Sequence, residues 1–203
     1  MTERPAPLTV FIVDDDPSVR DSLALLLSLS GHATAVFASA GDFLAAARED
    51  WAGCAIVDIR MPGMDGLELL AAMKERAIAM PAVIVTAHGD VASARAAFKG
   101  DAVDFLEKPF DEATLLAAVE ASLARERRRL ASGAEERRRN ASLESLSARE
   151  RQVLDHLLQG EHNRDVAERL GISPRTIEVH KARILAKLGA KNVVDLIRLI
   201  NRT

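Results

Sequence analysis

Short apolar runs alternate with amphipathic stretches over roughly the first 120 residues of the chain. Val10-Phe11-Ile12-Val13, Thr34-Ala35-Val36-Phe37, Ala55-Ile56-Val57, Val83-Ile84-Val85 and Val103-Asp104-Phe105-Leu106 read as five strands. The first, third and fourth are continuous enough for a sheet buried on both faces. Amphipathic stretches near residues 18–30, 40–48, 65–77 and 90–99 read as helices, and a fifth helix starts near Asp111. Strand-helix alternation predicts an α/β fold, a doubly wound five-stranded parallel sheet with right-handed crossovers. Ligands of such sheets bind beyond the C-terminal ends of the strands, so chemistry is expected where each apolar run stops.

Past Ala113 the pattern changes. To about Arg139 the sequence is helical and heavily charged, with Leu116, Val119, Leu123 and Leu130 on one stripe and Arg-Glu runs elsewhere. It reads as a solvated helix extending the one before it. A dimerising coiled coil is the alternative, opposed by Gly133, which interrupts the pattern. After residue 140 no strand pattern survives. Ser147-Ala-Arg-Glu150 is a capping box opening a helix that ends at Gly160, and Asn163 caps a second that stops at Gly171. Ser173-Pro174 supplies the cap and first residue of a third that ends at Gly189, and Asn192 caps a fourth. Four short helices punctuated by glycine predict a small all-α helix-turn-helix domain, with the third helix, Pro174–Leu188, as its reading helix.

A chain of 203 residues, 48% of them hydrophobic, has room for one core of ordinary size and a smaller one. Its apolar stretches fall short of the roughly 18 residues of a membrane span, and Met1-Thr-Glu-Arg-Pro5 lacks a signal peptide's apolar run. A cytoplasmic protein without membrane contact is expected. The single cysteine, Cys54, excludes an internal disulfide and a multi-cysteine zinc site, and reads as a small core residue. The formal net charge of −3 conceals an asymmetry: residues 1–123 carry 9 Lys+Arg against 19 Asp+Glu, 124–140 carry 7 against 3, and 141–203 carry 11 against 8. The acidic front repels nucleic acid, so DNA contact is expected only after about residue 124.

The first strand runs into Asp14-Asp15-Asp16, the third into Asp58, the fourth into Thr86-Ala87 and the fifth into Lys108-Pro109. All fall on one rim. Clustered carboxylates repel unless a cation or proton intervenes, and oxygen-only ligands suit Mg²⁺, with Mn²⁺ as a substitute. A hydroxyl from Thr86 and an ammonium from Lys108 complete a site shaped for a phosphoryl group, with Asp58, at the end of the central strand, as the nucleophile. Asp16-Pro17 reads as cap and first residue of the first helix. Met61, Met64 and Met73 read as packing, and His32 and His88 as surface residues.

With these features in place, residues 8–123 resemble a two-component receiver domain, of flavodoxin-like fold. The resemblance implies that Asp58, in Asp58-Ile-Arg-Met-Pro-Gly-Met-Asp-Gly66, is the phosphoacceptor. It implies that Asp15, Asp58 and the backbone carbonyl of Arg60 bind Mg²⁺, with Asp14 alongside through water. Thr86 and Phe105 would form a switch pair, and Lys108, before a cis Pro109, would bind the phosphate. Asp101 stands where such domains carry glycine or a small residue, which leaves the turn before the fifth strand open. After a charged helical linker at 124–142, residues 143–203 resemble a LuxR-type helix-turn-helix. That resemblance is carried by Leu146-Ser-Ala-Arg-Glu150, Asn163, Val166-Ala167, Leu170-Gly171-Ile172-Ser173, Thr176-Ile-Glu178-Val179-His180 and Lys187-Leu188. Together they resemble the NarL/FixJ class of response regulators.

On the reading helix Arg175, Glu178, Val179 and Ala182 share one face at helical spacing, and Ile177, Ile184 and Leu188 face inward. Val179 suits a thymine methyl and Glu178 a cytosine amino group. Thr176, His180, Lys181, Arg183 and Lys187 are candidates for phosphate contacts. Val193, Val194, Leu196, Ile197, Leu199 and Ile200 give the last helix more apolar surface than its domain needs, and in similar modules that helix forms the dimer contact. The expected partners are a sensor histidine kinase, promoter double-stranded DNA, RNA polymerase and a second copy of the chain. The expected function is phosphorylation-dependent control of transcription. An enzyme working through an aspartyl phosphate is the rival reading. A second acid commonly lies two residues after such a nucleophile, and Arg60 stands there, so the chain is expected not to be an enzyme beyond phosphoryl transfer to Asp58 and slow autodephosphorylation. A receiver serving only as phosphate sink or protein-binding module is the other rival, opposed by the complete reading-helix pattern.

Overall fold

A computed structural model describes residues 8–87 and 104–200. The helix expected near 90–99, with His88, Asp101 and Val103, lies outside the described residues. Five parallel strands form one sheet in the order β2-β1-β3-β4-β5: β1 (Thr9–Val13), β2 (Ala33–Phe37), β3 (Gly53–Asp58), β4 (Ala82–Thr86) and β5 (Asp104–Glu107). The order places β3 at the centre, where all six of its residues are buried. Alternation along the strands then fills two separate cores. Phe11, Val13, Ala55, Val57 and Ile84 pack on one face with Phe43, Leu69 and Met73. Val10, Ile12, Cys54, Ile56, Val83 and Val85 pack on the other with Leu27, Leu115, Val119 and Leu123. Burying each large side chain contributes about 1.5–3 kcal/mol. Cys54 is fully buried, as expected, and burial first, then Glu120 and Glu126, push its thiol up to about 12.

Helices α1 (Pro17–Leu29), α2 (Ala40–Ala46) and α3 (Gly66–Glu75) follow β1, β2 and β3, and α4 (Glu112–Glu144) follows β5. Asp16 caps α1 by accepting from the Ser18 amide at 2.8 Å, with Pro17 next, as expected. Three expectations need correction. Leu115, Ala118, Val119, Ser122, Leu123 and Glu126 form the buried stripe of α4, while Leu116 and Leu130 are only half-buried. Glu126 is tolerated there because the Arg129 guanidinium meets both its oxygens at 2.7 Å. His32 is not a surface residue: its side chain is 14% exposed, with Nε2 3.5 Å from Glu120 Oε1. Gly133 lies within α4 and does not end it; its cost of roughly 1 kcal/mol is offset by the strong helix formers around it.

The chain divides into two compact units at Leu130/Ala131. The second contains α5 (Ala148–Leu158), α6 (Asn163–Leu170), α7 (Pro174–Leu188) and α8 (Val193–Ile200) around Leu146, Val153, Leu154, Leu157, Val166, Ile177, Ile184 and Leu196. Ser147 and Glu150 close the expected capping box on α5. Ser173 caps α7, and the Asn192 side chain accepts from the Asp195 amide at 2.8 Å. Asn163 is not a cap. His162 occupies that position without a side-chain bond, and Asn163 is the first residue of α6. Among the described residues no helix is long and apolar enough to cross a membrane.

Candidate functional site

Neighbouring parallel strands that end level with each other bring their following residues together. Val13 of β1 is level with Val57 of β3, so Asp14 and Asp58 emerge side by side, 4% and 8% exposed. Lys108 follows β5 and reaches across β4 to both. Its Nζ lies 2.8 Å from Asp58 Oδ1 and 3.0 Å from Asp14 Oδ2. Burial pulls the Lys108 ammonium toward losing its proton, but the bonds and charge of Asp58 and Asp14 outweigh that and hold it above the ordinary lysine range. It stays cationic. The Lys108 amide donates to the Thr86 carbonyl at 2.7 Å, and the Lys108–Pro109 peptide is cis, as expected.

The other bonds in the cluster come from the turns that follow the strands. The Arg60 amide donates to Asp58 Oδ2 at 2.7 Å, and the Asp16 amide to Asp14 Oδ1 at 2.9 Å. Arg20 Nη1 donates to the Asp14 carbonyl at 2.7 Å, tying α1 to the rim. Thr86 is fully buried at the end of β4, whose Val85 is level with Asp58. Phe105, on β5, is half-buried against the first of the two cores. Asp15 is exposed on the rim, and among the described residues no three acidic, His or Cys side chains converge as metal ligands. The donors nevertheless fit a hard cation: two buried carboxylates face one ammonium, leaving an oxygen-lined site with a negative balance. Gly66 is a structural part of the site that the motif contained without revealing its role. A Cβ there would lie 2.3 Å from the Asp58 carbonyl oxygen, so only glycine lets α3 start this close. The Asp65-Gly66 pair just after Asp58 was the available signal.

In the second unit, α7 buries Ile177 and Ile184 fully and turns Arg175, Glu178, Val179, Ala182 and Arg183 to solvent, with Val179 45% exposed. Thr176, His180 and Lys181 are half-buried, and the Thr176 hydroxyl is 2.8 Å from that of Ser173. Glu178 is not isolated: Asn163 of α6 donates its side-chain amide to Glu178 Oε1, and Lys181 Nζ lies 3.9 Å from the same oxygen. Lys187, expected among the phosphate contacts, is held within the domain instead. Its Nζ bonds Glu150 Oε2 at 2.7 Å and the Ser145 carbonyl at 3.0 Å. Lys187, joined by the Ser147 amide, pulls the buried Glu150 carboxyl down to about 2. The sequence revealed Glu150 only as a capping residue; no local signal pointed to a lysine 37 residues away.

Over residues 10–120 the chain matches the family model described as response regulator receiver domain, and over residues 144–200 that of bacterial regulatory proteins, luxR family. It is 45% identical over 198 residues to the transcriptional regulatory protein FixJ of Azorhizobium caulinodans, covering 96% of this chain and 92% of that relative. It is 42% identical over 197 residues to the C4-dicarboxylate transport transcriptional regulatory protein DctR of Rhodobacter capsulatus, covering 94% and 98%. The solved structure of the response regulator StyR is similar with a TM-score of 0.88 and 37% identity, over 98% of this chain and 100% of that one.

Proposed function

The chain belongs to the response regulators that join a receiver to a LuxR-type DNA-binding domain, and we propose that a phosphoryl group on Asp58 controls its binding to promoter DNA. It is a phosphorylation-dependent transcriptional regulator of the two-component type. The observation that carries Asp58 as the acceptor is its carboxylate at the end of the central strand, gripped by Lys108 Nζ at 2.8 Å beside Asp14.

In this reading a carboxylate oxygen of Asp58 attacks the phosphorus of a phosphohistidine on a sensor kinase. The O–P bond forms as the P–N bond breaks, and the imidazole leaves neutral after taking up a proton. Lys108, kept cationic by its two carboxylates, neutralises charge on the incoming phosphoryl oxygens. Asp14, Asp15, Asp58 and the backbone carbonyl of Arg60 would hold Mg²⁺, or Mn²⁺, which when bound neutralises further charge on the phosphoryl group. Thr86 then turns its hydroxyl to the phosphoryl, Phe105 follows inward, and the changed receiver surface favours dimerisation. Two copies of α7 would enter major grooves about one DNA turn apart, with Arg175, Glu178, Val179 and Ala182 toward bases and Thr176, His180, Lys181 and Arg183 toward phosphates. RNA polymerase is the downstream partner, and the cytoplasm the place of action. The chain's own chemistry is limited to acquiring the phosphoryl group and slowly hydrolysing it. Treatment with acetyl phosphate and Mg²⁺, followed by borohydride trapping and peptide mass spectrometry, should locate the phosphoryl group on Asp58. A label on any other residue would contradict the assignment.

A further inference from the structure

Glu178 is an oddity on a DNA-reading face: it carries the charge that phosphate repels and sits in the N-terminal half of α7, the part of such a helix that meets base edges. We infer that Asn163 is a positioning residue that aims the Glu178 carboxylate at a cytosine, making this pair a determinant of sequence specificity; the inference rests on the DNA-binding reading above.

Two groups from different positions converge on one oxygen. Asn163, the first residue of α6, donates its side-chain amide to Glu178 Oε1, bridging α6 to α7 across 15 residues of chain. Lys181, one turn further along α7, places its ammonium 3.9 Å from that same oxygen. Glu178 Oε2 is left to accept. The Glu178 side chain is 59% exposed, on the face it shares with Arg175, Val179 and Ala182, so that oxygen is accessible to a base edge. An ionised carboxylate accepts hydrogen bonds and donates none. In the major groove it is therefore repelled by the guanine O6 and N7 and by the thymine O4. Adenine offers an amino group flanked by the N7 acceptor, whereas cytosine offers its N4 amino group without an acceptor alongside. Cytosine is the base that suits it. Restraint by Asn163 matters because a freely rotating glutamate loses side-chain entropy when it binds, whereas one already held loses less. The nearby Lys181 and Arg175 offset the approach of a negative charge to the phosphates.

The test uses the full chain, treated with acetyl phosphate and Mg²⁺, selecting from a randomised duplex DNA library that is then sequenced. Wild type, Glu178→Ala, Asn163→Ala and Asn163→Asp are compared, the last placing a second carboxylate against Glu178. Wild type should prefer cytosine at one position of each half-site by about tenfold or more. Glu178→Ala should erase the preference there and spare the neighbouring positions. Asn163→Ala and Asn163→Asp should weaken the same preference several-fold, although neither residue reads the base. A Glu178→Ala profile that keeps the cytosine overturns the inference. So do Asn163 variants that match wild type, or that lose preference evenly at every position, as a merely structural role would require. A wild type that selects no sequence overturns the DNA-binding reading along with it.

Discussion

Two lysines each grip buried carboxylates, and the difference between them separates a site that acts from one that holds. Lys108 faces Asp14 and Asp58 at 3.0 and 2.8 Å, one positive charge against two negative. Lys187 faces Glu150 as its one carboxylate at 2.7 Å, with the Ser145 carbonyl at 3.0 Å as a second acceptor. The first cluster is under-neutralised and oxygen-rich, so it can take up a cation and exchange a carboxylate contact for a phosphoryl one. The second is balanced, and its partners lie in the stretch leading into α5, at the start of α5 and at the end of α7. Here one ammonium matches one buried carboxylate, so removing the lysine leaves a buried charge without its partner. Both lysines are expected from sequence to touch phosphate, and only their partners tell them apart.

The comparison can be broken at four points, in decreasing order of effect. Asp58→Asn should abolish phosphoryl incorporation from acetyl phosphate, read by intact-protein mass spectrometry. Lys108→Ala should strengthen Mg²⁺ binding by about tenfold, because two carboxylates then face the metal without a competing ammonium. Fluorescence or calorimetric titration measures this, and the phosphorylated variant should fail to gain DNA affinity. Lys187→Ala should leave Mg²⁺ affinity and phosphoryl incorporation unchanged but lower the thermal unfolding transition of the C-terminal unit, followed by calorimetry. An altered Mg²⁺ affinity there would erase the distinction between the two sites. The smallest effect lies in acid. Glu150 is depressed to about 2 in the folded chain, so its contribution to stability is complete above the ordinary glutamate range and disappears as pH falls toward that value. Glu150→Gln should therefore be less stable than wild type at neutral pH, with the gap closing as pH drops. Urea unfolding midpoints across that range provide the measurement.

How much was legible follows from where information sits in a chain. Strands, helix starts and the Asp58 rim were readable because apolar runs, caps and strand ends are local patterns, and in a parallel sheet every strand end points to the same rim. Asp14, Asp58 and Lys108 converge for that reason although Lys108 lies 94 residues from Asp14. The misses have the opposite character. Lys187 with Glu150 and Asn163 with Glu178 are pairings between helices whose relative rotation no local pattern encodes. Glu126 was hidden because a charged residue among arginines reads as solvated, and only its bidentate bond to Arg129 makes burial affordable. His32 is of the same kind: a histidine beside a glycine turn gives no sign that Glu120 of a distant helix will face it. Asn163 reads as a cap by residue type, yet the backbone places the cap one residue earlier.

Control of DNA binding by the receiver is tested most directly by measuring the affinity of the full chain for a selected promoter duplex. Wild type and Asp58→Asn should each be titrated with and without acetyl phosphate and Mg²⁺. Treated wild type should bind about 5- to 150-fold more tightly than the other three samples, the range of ordinary coupling between two sites. Equal affinity in all four would contradict phosphorylation control and leave a DNA-binding protein whose receiver serves another purpose.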